Sequence, residues 1–136
     1  MSSIVQWDES YSVYIKELDM QHQKLFDMIN SFYDSMAANQ TNLAISKVIA
    51  EMKKYALQHF SHEESVMKVK GFPRIKSHQV RHQEFIKKVN ELEDRLAKGH
   101  PVLATDIAKF LKNWIIEHIK MEDKVYANYY KSNNLL

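Results

Sequence analysis

The chain has 136 residues, 45% of them apolar and 26% charged, with no cysteine, two glycines and two prolines. That length suits one domain, the composition excludes disorder, and the lack of cysteine excludes disulfides and thiolate chemistry. A net charge of +2 argues against nucleic acid as a partner, since that needs concentrated positive charge, and no G-x-G-x-x-G or P-loop is present for a nucleotide.

Residues 1–17 are irregular, and Trp7, Tyr11 and Val13 predict an N-terminal arm packed along the rest. The start, from Met1 to Trp7, has neither a charged n-region nor an apolar h-region, so no secretory signal is expected. No apolar run approaches the roughly 20 residues of a membrane span. The expectation is therefore a cytoplasmic protein without membrane insertion.

A first helix over about 18–38 carries Leu18, His22, Leu25, Ile29, Phe32 and Met36 at three- and four-residue steps. The polar run Asn39-Gln40-Thr41-Asn42 ends it. A second helix over about 42–69 carries Ile45, Val48, Met52, Tyr55 with Ala56, His59, Glu63, and Val66 with Met67. Gly71-Phe72-Pro73 stops it and starts a third over about 74–97, with Ile75, His78, His82, Phe85, Val89, Leu92 and Leu96. Gly99-His100-Pro101 repeats that signal before a fourth over about 103–130. Its stripe is Leu103, Ile107, Phe110 with Leu111, Trp114, His118, Met121 and Val125. Short connections make neighbours antiparallel, so the expected fold is all-α: one domain over 1–136, an up-down-up-down four-helix bundle with an N-terminal arm.

The polar members of these stripes carry the functional signal. His22, His59, His78, His82 and His118 sit at core positions together with Glu63, where burying an unpaired charge is costly. Residues equally far from a connecting loop lie at one level of a bundle. About residue 40, His22 lies 18 before and His59 19 after; about residue 72, Glu63 lies 9 before and His82 10 after; about residue 100, His82 and His118 are each 18 away. These side chains converge on one layer, with His78 about one turn from His82. His62 and His100 fall outside it and are expected to face solvent.

His59 and Glu63, and likewise His78 and His82, are spaced i, i+4 on one face, while His118 and Asp123 are spaced i, i+5. Five imidazoles and two carboxylates exceed the four ligands of zinc and are too nitrogen-rich for calcium or magnesium. Two adjacent iron or manganese ions sharing carboxylates fit best. On an ideal helix Asp123 stands about 140° from His118 and Glu122 is better aligned. A local π-type turn, or a sideways reach of the aspartate, would reconcile Asp123 with the layer.

With Trp7-Asp8-Glu9-Ser10-Tyr11, Leu18-Asp19-Met20-Gln21-His22 and the H-x-x-x-E, H-x-x-x-H and H-x-x-x-x-D elements in order, nearly the whole chain resembles the hemerythrin family, specifically its single-domain bacterial members. The resemblance implies a non-haem di-iron centre that binds O₂ reversibly. It implies that His78, His82 and His118 hold one iron and that His22 and His59 hold the other. Glu63, Asp123 and a solvent-derived oxygen would bridge the pair. It also places Leu25, Phe60, Trp114, Ile115 and Ile119 around the O₂ pocket.

Two six-coordinate irons have about twelve positions; the two carboxylates, the bridging oxygen and the imidazoles leave one open, on the two-histidine iron. Imidazole-rich ligation favours binding over the oxidation chemistry of carboxylate-rich di-iron sites. The expected function is therefore non-enzymatic: intracellular oxygen storage, transport or delivery, with an oxygen-consuming partner protein as recipient. The alternatives are an O₂ or NO sensor, expected to act through a separate partner because no signalling segment follows, and a di-iron oxidase or iron-handling protein.

Overall fold

The computed structural model describes residues 5–38 and 41–136. Helix α1 spans Lys16–Ala37, α2 residues 41–70, α3 Ile75–Ala97 and α4 residues 104–132. Among the described residues there is no strand, and no helix is long and apolar enough to cross a membrane. The four helices form an antiparallel bundle in which α1 packs on α2 and α4, and α2 on α3. Asn39 and Gln40 of the polar break lie outside the described residues.

Both glycine turns close their helices in the same way. Gly71 and Gly99 adopt φ of 68° and 70°, a left-handed conformation that costs glycine little. In the first, Phe72 N–H donates to Met67 O and Gly71 N–H to Lys68 O; in the second, His100 N–H donates to Arg95 O and Gly99 N–H to Leu96 O. Terminal carbonyls of α2 and α3 are thereby satisfied. Phe72 also packs beside Met67, which fixes the direction in which α3 leaves.

The arm is tied down at several points. Asp19 accepts from Ser12 Oγ at 2.6 Å and from Val13 N–H at 2.8 Å, which lets α1 begin at Lys16, two residues before the periodic stripe. Trp7 and Tyr11 meet Phe26 edge-on, at 5.5 and 4.8 Å between centroids. Lys124 of α4 donates to Ser12 O at 2.5 Å.

Two hydrophobic clusters fill the interior. The larger draws Leu25, Ile29, Met52, Phe60, Phe85, Leu111 and Ile115 from all four helices. The smaller gathers Val13, Leu18, Met67, Phe72, Tyr126, Ala127 and Tyr130.

Helices α2 and α4 each contain a π-helical stretch, at Ala56–Phe60 and Trp114–Glu122. A π turn takes in one residue more than an α turn between bonded groups, so the inward face shifts across it. The fourth stripe is corrected accordingly: Met121 and Val125 are exposed, whereas Asp123, Tyr126, Ala127 and Tyr130 are buried. Leu103 is also exposed because it precedes α4, and Leu96 because it lies in the last turn of α3.

Candidate metal centre

The layer between the two clusters is polar and buried. His22 of α1, His59 and Glu63 of α2, His78 and His82 of α3, and His118 and Asp123 of α4 are all buried. The π stretch of α4 ends where Asp123 begins, and its wider turn carries Asp123 round to the side of His118. A second stretch contains His59 itself, a distortion that the i, i+4 spacing did not foreshadow.

The two carboxylates sort the imidazoles into halves. Glu63 Oε1 lies 3.1 Å from His78 Nε2 and 2.9 Å from His82 Nε2. Its Oε2 lies 3.1 Å from His59 Nε2 and 3.4 Å from His22 Nε2. Asp123 Oδ1 lies 2.8 Å from His78 Nε2 and 3.0 Å from His118 Nε2, while Oδ2 lies 3.2 Å from His22 Nε2. Thus each carboxylate turns one oxygen to His78 and a second histidine, His82 for Glu63 and His118 for Asp123, and the other toward His22. Ligand atoms of Glu63, His78, His82 and His118 fall within 4.8 Å of one another, as do those of His22, His59 and Glu63.

Several of these atoms converge without pairing off. His22 Nε2, His118 Nε2 and both Asp123 oxygens are buried and form no well-directed hydrogen bond. Buried lone pairs left so are rare unless something else binds them. A nitrogen-rich donor set aimed at one small volume fits a pair of transition-metal ions.

Outside the layer, each Nδ1 that is held is held by an acceptor. His82 Nδ1–H donates to Glu64 Oε2 at 2.7 Å, His118 Nδ1–H to Glu122 Oε2 at 2.8 Å, and His59 Nδ1–H to Gln21 Oε1 at 2.6 Å. These partners assign the proton to Nδ1 and leave Nε2 free as a donor to metal. The two carboxylate acceptors serve His82 and His118, whereas His59 receives a neutral amide. Gln21 in turn donates to His62 Nδ1 at 3.0 Å. The expectation for His62 is thus corrected: it is half-buried because this amide holds it, while His100 is exposed. Rings stack on the same imidazoles: Phe60 on His82 at 3.9 Å, Trp114 on His118 at 4.0 Å and Tyr55 on His59 at 5.0 Å.

Charge in the metal-free layer follows from these contacts. Burial works against the charged form of His22 and His78, but the close carboxylates of Asp123 and Glu63 and their charge outweigh it, raising them to about 9 and about 10. His118 is raised as well, against the same burial, by Asp123 and Glu122. Burial dominates at His59 and lowers it. Glu63 and Asp123 are held below the usual carboxylate range despite burial, because imidazoles surround them. Tyr55 and Tyr126 are pushed up by burial and by the charges of Glu63 and Asp123, which keeps both hydroxyls protonated.

Leu25, Phe60, Trp114, Ile115 and Ile119 are buried in the larger cluster. A cleft of about 680 Å³ between α1 and α2 reaches Gln21, Tyr55 and His59 from the outside. Sequence reasoning missed Gln21, Glu64 and Tyr126 as partners of the layer and treated Tyr55 only as packing. Of these, only Tyr55 stood in an expected stripe; Glu122 carried a signal in its i+4 spacing from His118, but it serves Nδ1 and not the interior of the layer.

The family profile for the hemerythrin HHE cation binding domain matches residues 13–130. Bacteriohemerythrin of Stenotrophomonas maltophilia is 28% identical over 96% of this chain and 84% of its own length. Bacteriohemerythrin of Pseudomonas aeruginosa is 30% identical over 90% and 78%, and myohemerythrin of Theromyzon tessulatum 32% over 89% of each. The fold matches a wild-type hemerythrin crystal structure with a TM-score of 0.77 at 24% identity, covering 92% of this chain and 96% of that one.

Proposed function

Because the chain belongs to the hemerythrin family, we propose that it binds O₂ reversibly at a di-iron centre, in oxygen storage, transport or delivery. The observation that carries this reading is the division of labour within Glu63 and Asp123, whose two oxygens face different sets of histidines. His78, His82 and His118 would hold one ion, His22 and His59 the other, with Glu63 and Asp123 spanning both. When bound, ferrous iron supplies the electrons on which O₂ binding draws.

The chain's own residues do the rest. Glu64, Glu122 and Gln21 lock His82, His118 and His59 in the tautomer that turns Nε2 inward. Leu25, Phe60, Trp114, Ile115 and Ile119 form a hydrocarbon wall that keeps water, and with it protons, from the layer. His59 is the ligand beside which the wall can receive a gas, since its half has fewer imidazoles. This arrangement suits holding a ligand and releasing it unchanged, not turning it over.

The test is metal analysis followed by anaerobic titration of the reduced protein with O₂. Two irons per chain and one O₂ per iron pair, released intact under reduced pressure, are expected. A single zinc per chain, or consumption of O₂ with turnover, overturns the proposal.

A further inference from the structure

Position 55 holds a tyrosine where packing alone would be served by phenylalanine. Its ring lies flat on His59, at 5.0 Å and 21°. The hydroxyl is buried and turns toward the indole N–H of Trp114, yet neither atom forms a well-directed hydrogen bond. Trp114 in turn lies flat on His118, at 4.0 Å and 17°. Each ring stands four residues before the histidine it covers, one on α2 and one on α4. Phe60 and Phe85 fill in between them, at 5.7 and 5.8 Å from Tyr55 and at 5.7 and 4.8 Å from Trp114. An aromatic floor therefore underlies the layer, and the two polar side-chain atoms on it, the Tyr55 hydroxyl and the Trp114 indole nitrogen, are both buried without a hydrogen bond. Buried donors left unsatisfied are rare and costly, and their usual explanation is a ligand or water that completes them.

We propose that Tyr55 and Trp114 are a donor pair for the exogenous ligand of the metal centre. When the ligand is bound, the indole N–H turns to donate to the phenol oxygen, and the phenol O–H donates to the outer atom of the small ligand. The ligand class is a small anion or a diatomic polarised on binding, in either case with a lone pair on its outer atom. A ligand that stays apolar when bound gains nothing from the pair, so Tyr55 discriminates between ligands of equal size. The inference rests on the proposed function, because it needs an exogenous ligand beside His59.

Azide, a small linear anion, serves as the probe. Wild type, Tyr55→Phe and Trp114→Phe are loaded with iron, their iron content is measured, and each is titrated with azide. Losing one hydrogen bond weakens the azide Kd by about tenfold in Tyr55→Phe, and Trp114→Phe falls between it and wild type. The infrared stretch of bound azide shifts between H₂O and D₂O in wild type and not in Tyr55→Phe. In chelator, metal-free Tyr55→Phe unfolds at the same denaturant concentration as wild type or a higher one, since the hydroxyl does no structural work. Equal azide affinity and an unchanged isotope response in Tyr55→Phe, with both proteins carrying two irons, overturn the donor pair and leave the functional reading standing. Wild type that carries two irons and takes up neither azide nor O₂ overturns the functional reading and this inference with it.

Discussion

Tyr126 reaches across the bundle from α4 to donate its hydroxyl to Oε2 of Glu63 at 2.8 Å, with both side chains fully buried. That oxygen also faces His22 and His59. The phenol thus holds one end of Glu63 in place while the other end meets His78 and His82. Tyrosine is kept here by an acceptor, not by volume.

Tyr126→Phe removes a donor from a buried anionic acceptor and leaves the ring's packing intact. Its metal-free form should lose about 1.5–3 kcal/mol of stability, read as a lower midpoint in urea with chelator present. An unchanged midpoint would reduce Tyr126 to a space-filler.

Glu63→Gln keeps the shape and removes the charge. His22, His59, His78 and His82 all lose their common counter-ion. Breaking such a buried arrangement from one side costs about 3–5 kcal/mol. Iron per chain, measured after extensive dialysis, should fall with it, and retention of both irons would contradict the bridging role.

The metal-free protein should depend on pH with a defined sign. His22 and His78 rise from 6.5 to about 9 and about 10, so their stabilisation is complete below 6.5 and fades as pH climbs through those values. Glu63 and Asp123 are depressed from 4.5 and 3.8, so theirs is present above those values and lost as pH falls. His59, shifted down, opposes the trend below 6.5. Urea titrations in chelator at about pH 6 and about pH 10 should give the lower midpoint at the higher pH. Loaded protein, with metal in place of those protons, should not show that loss.

Removing an Nδ1 acceptor should loosen the metals selectively. Glu64→Ala frees His82 and Gln21→Ala frees His59; partners of this kind are worth about 10–100-fold in metal affinity. The charged acceptor should matter more, so competition with a chelator should release iron faster from Glu64→Ala. The reverse order would deny the electrostatic difference between the two halves.

The bundle was legible because its stripes keep helical period over most of their length between strong stop signals, and the layer because its histidines replace leucine at matched heights. What stayed hidden has two physical causes. The π stretch at Trp114–Glu122 shifts the inward face, so counting by 3.6 carried the stripe to Met121 and Val125 when the chain buries Tyr126 and Tyr130. The i, i+5 spacing of His118 and Asp123 pointed to that distortion; nothing at His59 did the same. Gln21, Glu64 and Glu122 stand beside stripe positions, where polar residues read as a solvated face, and only three-dimensional neighbours reveal what they hold.

The division of the interior into two clusters bears on cooperativity. The smaller cluster joins Val13 at the end of the arm, the start of α1, the α2–α3 turn and the end of α4; the larger occupies the remaining length of the bundle and takes Val5, Trp7 and Tyr11 of the arm. Across the bundle interior the imidazole–carboxylate layer couples the two, with the arm as a second link along the outside. Without metal that coupling is a set of titratable contacts, so the smaller end can open as its own unit while the larger stays folded. Amide exchange should then find Val13, Met67 and Tyr130 protected to a lesser degree than Ile29, Met52 and Leu111. Metal loading should level the two, making one cooperative molecule out of two unequal ones.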